Sequence, residues 1–132
     1  MSRISYYKGL FLVAAIYDLI LGLVFLFFSR WAFKLIGISD KLPEFIGYLS
    51  LIGAFLLVIG LAYFLIYKGD LQKNIDLILV GLMYKLAYCS IAFFYALVGN
   101  IPHFIFFALF GILDLIMLIL MLECYMWVSK NR

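Results

Sequence analysis

Four long apolar stretches constrain the fold of this chain more than any other feature of its sequence. They cover residues 9–28, 45–67, 75–98 and 103–128. Each is about 20 residues long or longer, enough for an α-helix to cross the ~30 Å hydrocarbon core of a bilayer. Hydrophobic residues make up 69% of the 132-residue chain and charged residues only 13%, a balance that water-soluble domains do not show. The sequence therefore predicts an integral membrane protein.

The links between these stretches are short, which predicts a single all-α domain over residues 1–132. Because helices joined by short links pack as antiparallel neighbours, we expect an up-and-down four-helix bundle. In the first link, Arg30, Lys34, Gly37 and Lys41 recur at helical spacing among apolar residues. That pattern predicts a short interfacial helix between the first and second spans, which either anchors the bundle or gates access to it.

The distribution of Lys and Arg predicts the orientation of the bundle. Basic residues are more numerous on the side that holds both termini and the second link. That side has Arg3, Lys8, Lys68, Lys73, Lys130 and Arg132, and the other has Arg30, Lys34 and Lys41. By the positive-inside rule, we expect a multi-pass protein of the cell membrane with both termini in the cytoplasm. The net charge of +3 is spread along the chain and does not indicate a nucleic-acid partner.

Three ionisable residues lie near the middle of separate apolar stretches: Asp18, Lys85 and Asp114. Each is about 15 to 16 Å from one end of its stretch, so all three reach the same layer of the membrane. A lone charge at that depth is costly, and we expect Lys85 to contact at least one of the two carboxylates inside the bundle. With two acids for one ammonium group, we expect one acid to be protonated or to be stabilised by the hydroxyls of Tyr84 and Tyr88.

This midplane group has two interpretations. In the first, Asp18, Lys85 and Asp114, together with Tyr84 and Tyr88, form a site for a ligand, a proton or a redox cofactor, because charges inside a membrane commonly mark functional sites. In the second, the ionisable side chains form a static clamp that fixes the register of the helices.

The other polar residues carry weaker signals. Glu123 lies about 5 residues from the inner end of the fourth stretch, and it is either an interfacial residue or a point where protons enter the bundle. His103 is the only His, which argues against a multi-His metal site or a bis-His haem. Cys89 and Cys124 lie at different depths, which argues against a disulfide. Without a standard catalytic motif or metal-ligand pattern, the sequence does not support an enzyme.

The second stretch contains no charge in its interior but is rich in small residues. Ser50 and Ala54 are spaced as a small-xxx-small pair, and Gly53 and Gly60 lie one heptad apart. Such spacing lets helices approach closely. It predicts close packing inside the bundle, or alternatively in a homodimer.

Short segments around the midplane charges resemble the DoxX-like family of small four-helix membrane proteins. They are YDLILGL at residues 17–23, GLMYKL at 81–86 and GILDL at 111–115, and the Gly-rich second stretch adds to the likeness. The resemblance implies a four-helix bundle, often in an inner membrane of bacteria or archaea. Some members are associated with quinone-linked sulfur oxidation and others act as assembly or trafficking helpers. Nothing in this chain indicates a thiosulfate site.

Two classes of function follow. The first is a ligand-binding or redox-accessory protein that holds a lipid-soluble molecule such as a quinone, or relays protons, at the midplane group. The second is a scaffold, an assembly factor or a small subunit of a larger membrane complex, in which the charges only lock the helices. A cavity touching Lys85 would favour the first class, and a closed, dry core would favour the second.

Overall fold

Helices make up most of the computed structural model, which describes residues 2–131. The helices are α1 (Arg3–Phe27), α2 (Ser29–Leu35), α3 (Gly47–Lys68), α4 (Ile75–Leu97) and α5 (Phe104–Lys130), with a single 3₁₀ turn at Ser39–Lys41. Of these, α1, α3, α4 and α5 are long and apolar enough to cross a membrane. The predicted all-α bundle of four potential spans is confirmed, and it is consistent with a multi-pass membrane protein.

The four long helices form a ring of up and down neighbours. Helix α1 packs mainly on α3, and α4 packs mainly on α5. Smaller contacts of α3 with α4 and of α1 with α5 close the ring, so α1 and α4 stand at opposite corners. We call the end that carries the chain termini the inner end and the opposite end the outer end.

Glycines allow α1 and α3 to pack almost backbone to backbone. A Cβ atom added to Gly53 would lie 2.5 Å from the backbone nitrogen of Leu26 and 2.6 Å from the carbonyl oxygen of Gly22. At Gly60 an added Cβ would lie 2.9 Å from Cγ of Leu19. Because no side chain fits at such distances, the heptad spacing of the two glycines determines how closely the helices approach. The prediction of close packing within the chain is confirmed for both glycines.

The two members of the predicted small-residue pair, Ser50 and Ala54, face different sides of α3 in the structure. The Ser50 hydroxyl faces α1 and donates a hydrogen bond to the carbonyl oxygen of Leu26 at 3.4 Å. Ala54 is exposed on the outside of the bundle. The expected packing within the bundle therefore holds for Ser50 but not for Ala54, because Gly53 rather than Ala54 occupies the contact with α1. The alternative, packing in a homodimer, stays a prediction for Ala54.

The predicted interfacial helix is present as α2, but it is shorter than the spacing of polar residues indicated. Arg30 and Lys34 are exposed on this seven-residue helix, whereas Phe33 is buried beneath it. Gly37 has a φ of 78° and turns the chain away, a conformation that suits a residue without Cβ. Gly37 and Lys41 therefore lie beyond the helix, and the predicted polar stripe ends after its second member.

The fourth span contains a segment that the sequence did not predict. Residues Phe107–Leu113 form a π-helix, and the α-helix resumes at Asp114. π-Helical segments are rare, and they frequently mark functional sites. Here the segment comes immediately before one of the three midplane ionisable residues.

Candidate functional site

The three midplane charges meet at the centre of the bundle. The Lys85 Nζ atom lies 3.1 Å from Oδ1 and 3.3 Å from Oδ2 of Asp18, and 3.0 Å from Oδ1 of Asp114. Lys85 is fully buried, Asp18 is 1% exposed and Asp114 is 2% exposed. The prediction that Lys85 contacts at least one carboxylate is confirmed, and the structure brings it to both. We call these three residues the ion cluster.

Each member of the ion cluster comes from a different helix. Lys85 on α4 extends across the bundle to Asp18 on α1, the helix at the opposite corner, and also to Asp114 on the neighbouring α5. One ammonium group therefore connects three of the four long helices. Two ionised carboxylates and one ammonium group would give the cluster a formal charge of −1.

Two tyrosines that the sequence analysis did not assign complete the surroundings of Lys85. Its Nζ atom lies 5.0 Å from the ring centroid of Tyr17 and 5.4 Å from that of Tyr63, within cation–π range. The Tyr63 hydroxyl donates to the carbonyl oxygen of Gly81 at 2.6 Å, and the Tyr17 hydroxyl donates to the carbonyl oxygen of Leu109 at 2.7 Å. Through Tyr63, α3 also reaches the cluster, although it contributes no charge.

A sequence signal for Tyr63 exists. Tyr63 follows Gly60 by three residues, and Leu56 follows Gly53 by the same interval, so all four lie on one face of α3. The glycines that predict the packing face therefore also predict that Tyr63 points into the bundle. An added Cβ at Gly81 would lie 2.6 Å from Cε1 of Tyr63, which explains why this position of α4 carries no side chain.

The expected hydrogen bonds from Tyr84 and Tyr88 to the carboxylates do not form. The Tyr84 hydroxyl is buried and has no hydrogen-bond partner among residues 2–131. Tyr88 instead stacks on Phe110, with ring centroids 5.3 Å apart and an angle of 28° between the planes. Both tyrosines pack with apolar residues on the outer side of the ion cluster. Any contribution of theirs to a ligand site stays a prediction.

Glu123 is separated from the ion cluster by apolar packing. Its Oε1 atom accepts hydrogen bonds from Arg3 at 3.2 Å and from the Tyr7 hydroxyl at 3.0 Å, and the side chain is 48% exposed. This geometry suits an interfacial residue. Nearer the cluster, buried side chains of one continuous apolar group occupy the interior: Phe11, Ile78, Leu82, Met117 and Met121. The alternative role of Glu123, as a point where protons enter the bundle, stays a prediction.

The remaining polar residues singled out in the sequence have local surroundings. His103 caps the start of α5, where its Nδ1 atom accepts the backbone N–H of Ile105 at 3.0 Å. Cys89 and Cys124 are buried free thiols. Within residues 2–131, no three or more His, Cys, Asp and Glu side chains are grouped so that they could hold a metal ion.

A cavity of about 370 Å³ lies near the outer end of the bundle, where it is lined by residues of α1, α3, α4 and α5 and of the link before α5. Its walls are mostly apolar and aromatic. The lining residues are Phe25, Leu49, Ile52, Tyr88, Ile91, Ala92, Tyr95, Asn100, Ile101, Pro102, Phe106 and Phe110. We call this space the outer cavity. The ion cluster does not line it, and the lining residue Tyr88 lies three residues from Lys85 on α4.

The outer cavity lies beside the ion cluster. Tyr88, which the sequence analysis grouped with the three charges, lines this apolar cavity, whereas the ion cluster is closed. The grouping of these residues in one ligand site stays a prediction. No protein-family model, curated protein or solved structure matches this chain. Its function is therefore inferred from these two regions alone.

Proposed function

We propose that this protein is a small membrane-embedded binding protein that takes up a lipid-soluble ligand, such as a quinone, in the outer cavity. The observation that carries the proposal is the cavity itself. Its volume of about 370 Å³ falls within the ~300–1,000 Å³ range of small-molecule sites. Ile91 and Tyr95 line it and are also 59% and 42% exposed on the outside of α4. A ligand dissolved in the bilayer can therefore enter from the side.

The lining of the outer cavity suits a flat ring with carbonyl groups. Phe106 and Phe110 are nearly parallel, at 14°, and Tyr88 continues the stack on Phe110, so a quinone ring finds aromatic faces to pack against. The side chains of Tyr95 and Asn100 make no hydrogen bond to residues 2–131. Their hydroxyl and amide donors are available for the carbonyl oxygens of a quinone.

A second candidate function is a scaffold, an assembly factor or a small subunit of a larger membrane complex. The closed ion cluster favours it, because Lys85 is fully buried, is already hydrogen-bonded to both carboxylates and does not line the outer cavity. The sequence-based expectation of a cavity touching Lys85 is therefore not met, and the ligand site proposed above is the outer cavity instead. A proton relay through the cluster has less support, since apolar side chains separate it from Glu123. In both candidate functions the ion cluster holds α1, α4 and α5 in register, and the outer cavity is what distinguishes them.

The proposed orientation places both termini in the cytoplasm of a cell membrane. Support comes from the larger number of Lys and Arg residues at the inner end and from the positive-inside rule. In this orientation the outer cavity lies in the leaflet that faces away from the cytoplasm. Membership of the DoxX-like family stays a prediction based on short segments.

The proposal is tested by quinone binding to two matched variants of α3. Ile52 lines the outer cavity, whereas its neighbour Leu51 is 56% exposed on the outside of the bundle. A large side chain in Ile52→Trp occupies the cavity, and Leu51→Trp adds the same side chain outside it. We expect Ile52→Trp to weaken the binding of a short-chain ubiquinone by about tenfold or more, because filling the cavity excludes the ring.

Binding is measured by native mass spectrometry and equilibrium dialysis of the purified protein in mild detergent. Equal quinone affinity in the two variants would place the ligand elsewhere. Wild-type protein that binds neither the short-chain ubiquinone nor a lipid-soluble molecule from a membrane extract would refute ligand binding. Recovery of a defined protein complex after gentle extraction, together with an empty cavity, would support the scaffold instead.

A further inference from the structure

A polar cleft of about 630 Å³ lies at the inner end of the bundle, far from the outer cavity. It is built by the first turns of α1, the end of α3, the link that follows α3, and the last turns of α5. Its lining residues include Ile4, Lys8, Lys68, Asp70 and Trp127. We call it the inner cleft. Nothing in the proposed quinone site involves these residues.

The inner cleft carries a net positive charge. Lys8 comes from α1 and Lys68 is the last residue of α3, and neither lies within 4.0 Å of an acidic oxygen of the described residues. Asp70 is the one acidic residue of the lining. Its Oδ1 atom accepts the backbone N–H groups of Gln72 at 2.8 Å and Lys73 at 3.4 Å, so it holds the turn. Two ammonium groups and one carboxylate leave a charge of +1.

Beside these charges the cleft has an amphipathic wall. The Trp127 ring packs against Tyr7, with centroids 5.7 Å apart, beneath the Arg3 guanidinium at 5.8 Å. Ile4 is 49% exposed at the same end of the bundle. Tryptophan at the end of a membrane span is typical of the headgroup region. A free phosphate ion would leave Ile4 and Trp127 unused, whereas a phospholipid would contact both the charged and the apolar walls.

We propose that the inner cleft binds the headgroup of an anionic phospholipid, with phosphatidylglycerol as the model compound. The ammonium groups of Lys8 and Lys68 bind the phosphodiester, and Trp127 packs at the level of the glycerol. Basic pockets beside membrane spans recognise anionic headgroups in this manner, since each Lys near the surface adds favourable electrostatic free energy.

The experiment uses the full chain in detergent, in a Trp31→Phe background so that tryptophan emission reports Trp127 alone. Dioctanoyl-phosphatidylglycerol, dioctanoyl-phosphatidylcholine and inorganic phosphate are titrated separately. We expect phosphatidylglycerol to bind about tenfold or more tightly than phosphatidylcholine, and phosphate not to compete. The double variant Lys8→Gln and Lys68→Gln should lose about 30-fold in phosphatidylglycerol affinity, and each single variant about fivefold. Asp70→Asn should bind more tightly, because the amide oxygen still accepts the turn hydrogen bonds while the negative charge is removed.

The matched control removes two lysines from the outer end, in the double variant Lys34→Gln and Lys41→Gln, neither of which lines the inner cleft. It should bind phosphatidylglycerol as the wild type does. Circular dichroism and melting curves verify that every variant is folded. Equal affinity for the two phospholipids, an equal loss in the control, or weaker binding by Asp70→Asn would overturn the proposal. Competition by millimolar phosphate would assign the cleft to free phosphate instead of lipid.

Discussion

Replacing Lys85 with Met tests whether the ion cluster consists of paired charges. Methionine has a similar length and fills the same space, but it carries no charge. In the structure, the ammonium group lies 3.1 Å from Asp18 and 3.0 Å from Asp114, with no exposure to solvent. The substitution therefore leaves two buried carboxylates without a cation.

The expected loss of stability follows from these distances. At an effective dielectric constant of about 20, unit charges ~3 Å apart attract each other by about 5 kcal/mol. A stranded carboxylate limits the damage by taking up a proton, which costs about 4 kcal/mol at pH 7 for an ordinary aspartate. Breaking a buried ion pair from one side typically costs about 3–5 kcal/mol. We expect Lys85→Met to lower the free energy of unfolding by that amount at pH 7.

The loss should depend on pH in a defined direction. Above pH 5, the folded variant, in which one of the two acids is protonated, holds more protons than the unfolded chain, whose aspartates are ionised. Its stability therefore rises as the pH falls, by about 1.4 kcal/mol per pH unit for each proton taken up. The difference between Lys85→Met and wild type should shrink between pH 7 and pH 5.

The assay is unfolding of the detergent-solubilised protein in SDS, followed by circular dichroism at pH 7 and pH 5. Adding Asp18→Asn and Asp114→Asn to Lys85→Met should recover most of the stability, because no buried charge remains. Lys41→Met, at an exposed position, serves as the control and should unfold as the wild type does. If Lys85→Met were as stable as wild type at both pH values, the three side chains would not form a charged, water-excluded cluster.

Two further predictions concern the packing and the topology of the bundle. Gly53→Leu should disrupt the pairing of α1 with α3 and lower the melting temperature strongly, because the Cβ of the new leucine would lie 2.5 Å from the backbone of Leu26. The control is Gly9→Ala in α1, where an added Cβ meets nothing within 4 Å. This control should melt at or above the wild-type temperature. For the topology, Lys68→Cys and Lys41→Cys are made singly in a background without the native cysteines. A membrane-impermeant thiol reagent should label the two variants from opposite sides of the membrane, Lys68→Cys from the cytoplasm. Labelling of both from the same side would refute the up-and-down topology.

The four spans could be predicted from hydropathy because transfer of a long apolar helix into lipid outweighs most local details of the sequence. The predicted and observed helix bounds agree most closely where a loop ends the apolar stretch. The stretch at residues 75–98 corresponds to the helix Ile75–Leu97, and the stretch at 45–67 corresponds to Gly47–Lys68. The agreement is poorest at the start of α1, which begins at Arg3 rather than residue 9. A helix continues beyond the hydrocarbon wherever its polar residues reach the headgroups, and hydropathy does not register that extension.

The ion cluster could be anticipated for a similar reason. A single charge near the middle of an apolar stretch is so costly that it needs a partner, and Lys85 had only Asp18 and Asp114 at its depth. That cost makes the contact predictable without knowledge of the packing. The partners of Tyr84 and Tyr88 were not predictable in this way. A tyrosine ring packs favourably in apolar surroundings, so its position does not depend on one hydrogen bond.

The sequence by itself therefore determined the number of long apolar helices and the pairing of the charges, both of which follow from the free energy of moving groups between water and an apolar environment. The tertiary structure alone decided the π-helical segment Phe107–Leu113, the outer cavity and the inner cleft. These features depend on how helices from different parts of the chain pack against one another. Packing is the sum of many weak side-chain contacts between helices, and the spacing of hydrophobic residues along a single helix does not reveal that sum.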